Sequence, residues 1–436
     1  MSDDALPMGA DVRGIGPRLL RLRTVEGATQ AHLAGDSFTR AYVSSIEAGK
    51  RTPSPRAVAH FADRLGVRTE DLCFDYEPGI RGQLRQALAD ARIALSGGET
   101  DRAREAYQQA MAEADRRQDP EVGAQARCGL GMIARHEGDP DQAVALFTRA
   151  EKLLCGAPLR SRLQAVVGTM GGLFARGAID QALTLAEEHL REAELTGQIE
   201  AEFSLRAATV LPHVERGDLN RAAAAADAAL RIAARVRDSE ILAQGYYHIN
   251  RVLVVQSRYT EAERVLARAL TLNEHLGLRT EVGMCHFARG YLSACRGDLG
   301  AAEASLREAT AHFTATRALP RLVNANAELS EVLRRLGRTD EAMDLVRKCR
   351  TLARRSHDPE QAAELDRIEA QTAADIGEEA DSEQLFRSAL ERYAGVGAAY
   401  ETGLTCRLFG DRLMAWGRTA EAAEIYRRGL TAWERG

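Results

Sequence analysis

The residues able to do chemistry in this 436-residue chain are scattered, except at one end. A phosphate-cradling loop of the form GxxxxGK[ST] needs a glycine five places before its last glycine; the Gly49-Lys50 pair has Ser44 there and Arg51 after it. His136-Glu137 runs into Gly138, Asp139 and Pro140, so the second histidine of an HExxH zinc site is missing. No GxSxG nucleophile elbow occurs, and the ten histidines do not gather at metal-ligand spacing. The seven cysteines (Cys73, Cys128, Cys155, Cys285, Cys295, Cys349, Cys406) form no CxxC pair and fall inside helical patterns, as reduced thiols of a cytosolic protein do. The sequence therefore points away from catalysis and calls for no metal or cofactor.

Charge is the exception. From Val12 to Thr69 ten Arg/Lys face four acids (Glu26, Asp36, Glu47, Asp63), on a chain whose net charge is −5. A basic lobe on an acidic body is the footprint expected where one end alone meets a polyanion such as nucleic acid. Only three lysines (Lys50, Lys152, Lys348) stand beside 55 arginines, a bias of GC-rich bacterial coding. No stretch approaches the ~20 apolar residues of a spanning helix. The acidic start, Met1 to Gly16, lacks the apolar core of a signal peptide. The expected location is the cytoplasm, with no membrane partner.

Five short helices must position the basic residues. Ile15, Leu19 and Leu22 repeat at helical spacing up to Gly27. Thr29 can cap a second helix, Gln30 to Ala34, ended by Gly35-Asp36-Ser37. Thr39 can cap a third that runs through Glu47 to Gly49. Ser54-Pro55 opens a fourth with Val58, Phe61, Ala62 and Leu65 apolar, and Thr69 a fifth. At ~100° per residue, Val43 and Ile46 point one way along the third helix. Ala41, Ser44 and Ser45 point the other way, with Arg40 on the flank.

The runs Thr29-Gln30-Ala31-His32-Leu33-Ala34 and Tyr42-Val43-Ser44-Ser45-Ile46-Glu47-Ala48-Gly49-Lys50-Arg51-Thr52-Pro53-Ser54 closely resemble the phage-repressor-like (XRE or Cro/C1) helix-turn-helix family over roughly residues 15–74. The turn from Ala34 to Thr39 is about one residue shorter than the family's common form, which leaves the tilt of the third helix open. The resemblance implies that the outward face of that helix enters the major groove of double-stranded DNA. Thr39, Arg40, Ala41, Ser44 and Ser45 would then approach base edges. Gln30, Tyr42, Lys50 and Arg51 would hold the backbone, contacts that add affinity but little sequence information. A solvated helix face is the alternative for the polar positions; Val43 and Ile46 are core.

Beyond residue 81 the chain repeats. Glycines stand at Gly98, Gly138, Gly177, Gly217, Gly297, Gly337, Gly377 and Gly417, with Ser257 where the missing member would be. Five residues after each comes Ala103, Ala143, Ala182, Ala222, Ala262, Ala302, Ala342, Ser382 or Ala422. Seven further on come Ala110, Ala150, His189, Ala229, Ala269, Ala309, Cys349, Ala389 and Gly429. A glycine stop followed by small residues spaced by seven describes a helical hairpin whose second helix packs closely on its neighbours. The pattern Gly-Asp-Leu-x-x-Ala, as in Gly217 to Ala222 and Gly297 to Ala302, resembles the tetratricopeptide (TPR) repeat, stretched to a period of 40 from the commonest form's ~34.

The expected fold class is all-α: a five-helix helix-turn-helix domain followed by a right-handed superhelix of about nine TPR-like αα-hairpins. The expected divisions are a flexible tail (1–14), a DNA-binding domain (15–74), a linker containing Pro78-Gly79 (75–81) and the array (82–436).

In TPR-like arrays the first helix of each hairpin lines the concave face. Projecting those positions onto this sequence selects Gln244, Tyr247, Arg251, Phe287, Tyr291, Asn324, Glu331, Arg334, Arg367 and Arg407, with Asn250 as a polar intrusion at a packing position. Amides, arginines and aromatics together could hold an extended peptide, although each residue alone reads equally as surface or packing. The combination resembles the RRNPP-type peptide-responsive regulators. That resemblance implies a homodimer whose array binds a short signalling peptide and thereby repositions its DNA-binding domains. A protein-interaction scaffold and a sensor of a small metabolite remain alternatives.

Overall fold

The structure, a computed structural model, describes residues 6, 7, 9–353 and 359–435. All its regular elements are helical. No described helix is long and apolar enough to cross a membrane. The chain divides into two compact units: one comprises residues 1–95 and 99–208, the other 96–98 and 209–436.

The first unit begins with α1 (Ile15–Val25), α2 (Gln30–Ala34), α3 (Arg40–Glu47), α4 (Pro55–Leu65) and α5 (Thr69–Cys73). The expected caps form. Thr29 Oγ1 accepts from His32 N, Thr39 Oγ1 from Tyr42 N and Ser54 Oγ from Ala57 N, each satisfying a helix N–H that has no partner inside its own helix. The five helices bury one core around Ile15, Leu19, Leu33, Val43, Ile46, Val58, Phe61 and Leu72. Leu6, Ala10 and Val12 pack against that core, and Asp11 accepts from Arg18 at 3.0 Å. The described part of the expected flexible tail is thus held. Residues 1–5 and 8 lie outside the described residues.

Among the described residues nine hairpins follow, as the repeat predicts. They are α6 (Ile80–Ser96) with α7 (Thr100–Arg117), α8 (Pro120–His136) with α9 (Pro140–Leu153), α10 (Leu159–Ala175) with α11 (Ile179–Thr196), α12 (Ile199–Glu215) with α13 (Leu219–Ile232), and α14 (Ser239–Val255) with α15 (Tyr259–His275). The last four are α16 (Arg279–Cys295) with α17 (Leu299–Ala315), α18 (Leu319–Arg335) with α19 (Thr339–Ala353), α20 (Pro359–Asp375) with α21 (Glu379–Val396), and α22 (Ala399–Ala415) with α23 (Thr419–Arg435). Within the second unit the first helices of consecutive hairpins touch one another, α14 on α16, α16 on α18, α18 on α20 and α20 on α22.

The repeat's physics is visible at its two signature positions. Every predicted hairpin glycine takes a left-handed backbone, φ +76° to +86°, and Ser257 takes the same turn at φ +58° despite its Cβ. The small residues from Ala103 to Ala422 at the first signature position are fully buried, including Ser382. Glycines on the first helices of two hairpins are needed for space as well: a Cβ at Gly410 would lie 2.3 Å from the Tyr426 ring, and one at Gly168 2.3 Å from Phe147. At these two places small residue and large ring are a matched pair.

Candidate nucleic-acid interface and array groove

On α3 the burial follows the predicted division. Val43 is 0% and Ile46 1% exposed, while Arg40, Ala41 and Ser44 are exposed and Ser45 is half-buried. Lys50 and Arg51 are exposed beyond the helix end. The Arg51 guanidinium lies 4.8 Å from the Tyr42 ring centroid, and Tyr42 stacks on Phe38 at 5.2 Å with 12° between planes. This aromatic shelf restricts Arg51 before any ligand arrives, which lowers the entropy cost of a phosphate contact.

Two of the expected contact residues also serve the fold. The Thr39 hydroxyl is engaged as the α3 cap. Gln30 is half-buried and its Nε2 donates to Glu47 Oε2 at 2.7 Å. Glu47, buried beneath α3, also accepts from Arg23 Nε at 2.6 Å and Nη2 at 3.1 Å. This bond from Glu47 raises the Arg23 pKa. Gln30 is thereby tied to the ion pair that fastens α1 to α3.

Sequence reasoning did not find what makes the short turn possible. The last carbonyls of α2 are covered from α4: His60 Nε2 lies 3.1 Å from both Leu33 O and Ala34 O, and Arg64 donates to His32 O from Nε at 3.0 Å and Nη2 at 2.8 Å. His60 also packs its ring 5.1 Å from Phe38. Gly35, at φ +55° and ψ −149°, adopts a backbone that a residue with a Cβ strongly resists. A polar residue on the edge of an apolar helix carries no signal of such a role.

The groove residues belong to the second unit, where they divide. Tyr247, Phe287, Tyr291, Glu331, Arg334 and Arg367 keep partial exposure on α14, α16, α18 and α20. Arg251 lies 5.3 Å from the Tyr291 ring, and burial raises the pKa of both Tyr247 and Tyr291, the latter to about 12. Arg334 pairs with Glu331 at 2.7 Å and with Asp375 at 2.5 Å.

Three expected members are otherwise engaged. Gln244 donates to Glu240 at 3.2 Å, and Asn324 accepts from Gln361 at 2.7 Å. Arg407 sits 3.5 Å from Asp411 on the same helix face. Asn250 is only 5% exposed and its Oδ1 has no hydrogen-bond partner, so it lies among packed helices and forgoes the interhelical bond that its position offered.

Acids complete this region. Glu328 is pushed up to about 7, first by burial and then by Glu364 and Glu331, while Arg367 and Arg251 oppose the rise. Burial and Glu401 also raise Glu215, against Arg251. Glu328 stands one turn from Asn324 on the same face of α18, the i,i+4 signal that could have selected it. No group of three or more potential metal ligands occurs among the described residues.

A family model for a helix-turn-helix domain matches residues 15–72. No curated protein matches the chain in sequence. Among solved structures, a Rap protein in complex with competence and sporulation factor is 15% identical, covering 81% of this chain and 98% of that one at a TM-score of 0.58. The apo form of the quorum sensor NprR from B. thuringiensis is 13% identical, covering 81% and 99% at 0.54. Aspartyl phosphate phosphatase F from Bacillus subtilis is 12% identical, covering 80% and 93% at 0.51. At such identities the likeness is one of fold. The chain therefore joins an N-terminal helix-turn-helix domain to an array of helical hairpins whose fold is similar to that of the Rap protein and of the quorum sensor NprR.

Proposed function

We propose that this protein is a sequence-specific DNA-binding transcription regulator whose array binds a short peptide effector. The observation that carries the reading is α3: a helix anchored by Val43 and Ile46 that leaves Arg40, Ala41 and Ser44 exposed, beside an Arg51 braced on Tyr42. Arg40, Ala41, Ser44 and Ser45 read base edges, Arg40 by forking onto guanine. Lys50, Arg51 and Tyr42 meet phosphates, and the basic domain supplies the salt-dependent part of the affinity. Gln30 and Thr39 act at one remove, by holding α3 in place.

In the array, Tyr247, Arg251, Phe287, Tyr291, Glu331, Arg334 and Arg367, with Glu328, line the effector site. Their alternation of aromatic and charged groups suits an extended peptide, whose backbone and charged ends need partners at intervals. A small apolar metabolite would call for a drier wall. Two fold neighbours, one described as a quorum sensor and one in complex with competence and sporulation factor, agree with this reading. The regulator works in the cytoplasm as a homodimer, and an effector that favours one dimer geometry by ~1.4 to 2.8 kcal/mol changes operator affinity about 10- to 100-fold.

Recovery of genomic fragments by the purified protein, followed by sequencing, tests the DNA arm. An enriched operator is expected, lost with Arg40→Ala plus Ser44→Ala; absence of any enriched fragment overturns the reading. A thermal-shift screen against culture-medium fractions tests the effector arm. Stabilisation by a protease-sensitive fraction is expected; stabilisation only by a protease-resistant one transfers the site to a metabolite.

A further inference from the structure

The stretch expected to be a linker (75–81), together with Phe74 before it, is packed solid. Phe74 and Tyr76 are each 1% exposed and belong to the core of the first five helices. Gly79 N donates to Asp71 Oδ1 at 3.0 Å, and Arg117 of α7 donates to Asp75 O at 2.5 Å with its guanidinium 5.9 Å from the Tyr76 ring. At the centre stands Arg81, also 1% exposed. Its Nε donates to Asp119 Oδ2 at 2.7 Å, its Nη2 to Asp119 Oδ1 at 3.3 Å and to Glu121 Oε2 at 2.6 Å. Its Nη1 lies 3.1 Å from Glu70 Oε1, and the guanidinium sits 4.2 Å from the Phe74 ring.

The partners come from two separate places in the chain, α5 with the residue after it and the start of α8. Glu70 is on α5 of the helix-turn-helix core; Phe74 follows it; Arg81 opens α6 of the first hairpin. Asp119 caps α8 of the second hairpin, its Oδ1 accepting from Glu121 N at 3.1 Å and Val122 N at 3.2 Å. One guanidinium therefore joins the DNA-reading core to two consecutive hairpins. Its charge is balanced by Glu70, Asp119 and Glu121, with Arg85 also drawing on Glu70 at 2.9 Å. Removing the cation would leave carboxylates in a buried site without a counter-charge, so the junction has no comfortable open form.

We propose that Arg81 is a clamp: it couples the orientation of the DNA-reading domain to the packing of α6 against α8, so a rearrangement of the first hairpins moves that domain as a body. It is a positioning residue, with no DNA contact of its own. This rests on the DNA-binding reading above for its consequence, but not for its existence.

The test uses the full chain with Arg81→Met, which keeps the packing stem, and Glu121→Gln at the rim of the cluster. Hydrogen exchange over residues 74–82 should accelerate at least 30-fold in Arg81→Met, with protection in 40–47 and in α9 within threefold of the parent. Affinity for an operator from the genomic recovery should fall at least tenfold, while affinity for unrelated DNA changes less than twofold. Unchanged exchange over 74–82 overturns the clamp, whatever the DNA result. If no operator is recovered, the DNA reading fails and the exchange arm alone decides the clamp. If Arg81→Met also loses protection in 40–47, Glu121→Gln decides: exchange three- to tenfold faster over 74–82 alone supports the clamp, and no change overturns it.

Discussion

The ion pair beneath α3 offers a sharp test of how the reading helix is held. Glu47 is 4% exposed at its side chain and Arg23 17%. Between them run two hydrogen bonds, with a third arriving from Gln30. Glu47→Gln keeps the shape but removes the charge, and its amide NH2 must face a donor, either Arg23 or Gln30. Breaking a buried pair on one side costs ~3 to 5 kcal/mol. Arg23 retains some water and its bond to Ala28 O at 2.9 Å, which places this case lower, at ~2 to 3 kcal/mol.

The assay is amide exchange in the full chain, because its several parts need not unfold together. Protection in α1 and α3 should fall about 30- to 150-fold in Glu47→Gln, at ~1.4 kcal/mol per factor of ten. Protection in α14 to α17 should not change. Arg23→Met should cost at least as much, because it strands a buried carboxylate. The double variant Arg23→Met/Glu47→Leu should recover much of the loss, since apolar replacement of both partners leaves no buried charge uncompensated, only Gln30 Nε2 and Ala28 O without their bonds. If the double variant is as damaged as the sum of the singles, the contribution lies in packing and the electrostatic reasoning is refuted.

Other expectations follow from the same geometry. Ser257→Gly should stabilise the fifth hairpin by ~0.5 to 1 kcal/mol, because the left-handed turn at φ +58° strains any residue with a Cβ; urea unfolding read in α14 and α15 measures it. Arg40→Ala should lower operator affinity about 5- to 100-fold and relax preference at one base pair, whereas Arg51→Ala should weaken all DNA similarly and reduce the salt slope by about 1; anisotropy titrations over a salt series separate the two. His189 lies 3.3 Å from Glu151 and 3.5 Å from Glu192, and its pKa is raised, chiefly by the bond to Glu151. Its stabilisation should be complete below about pH 6.5 and fade as pH climbs through the raised value. Glu151, lowered chiefly by His189, adds stability above about pH 4.5 that is lost on acidification. His189→Gln should flatten the alkaline arm of the stability–pH curve for α9 to α11; an unchanged arm rejects the assignment.

The elements were legible because their signals are local. Thr29, Thr39 and Ser54 announce helix starts through hydrogen bonds that span three residues, and the forty-residue spacing of glycines survives because each stop is a property of one backbone angle. Even the exception at Ser257 was placed by arithmetic. The reading face of α3 was equally open to inspection, since helical periodicity alone separates Val43 and Ile46 from Ala41 and Ser44.

What the chain order concealed were partnerships between residues far apart. Nothing near Arg81 in sequence announces Asp119, 38 positions away, and the expected linker became a buried junction through that meeting. His60 and Arg64 cap carbonyls of α2 from 26 to 32 residues downstream. Glu328 was gathered into a charged wall with Glu364 from the following hairpin. Secondary structure depends on neighbours within a turn, which a sequence displays. Charge pairing, burial and altered protonation depend on which surfaces meet, and only the folded chain decides that.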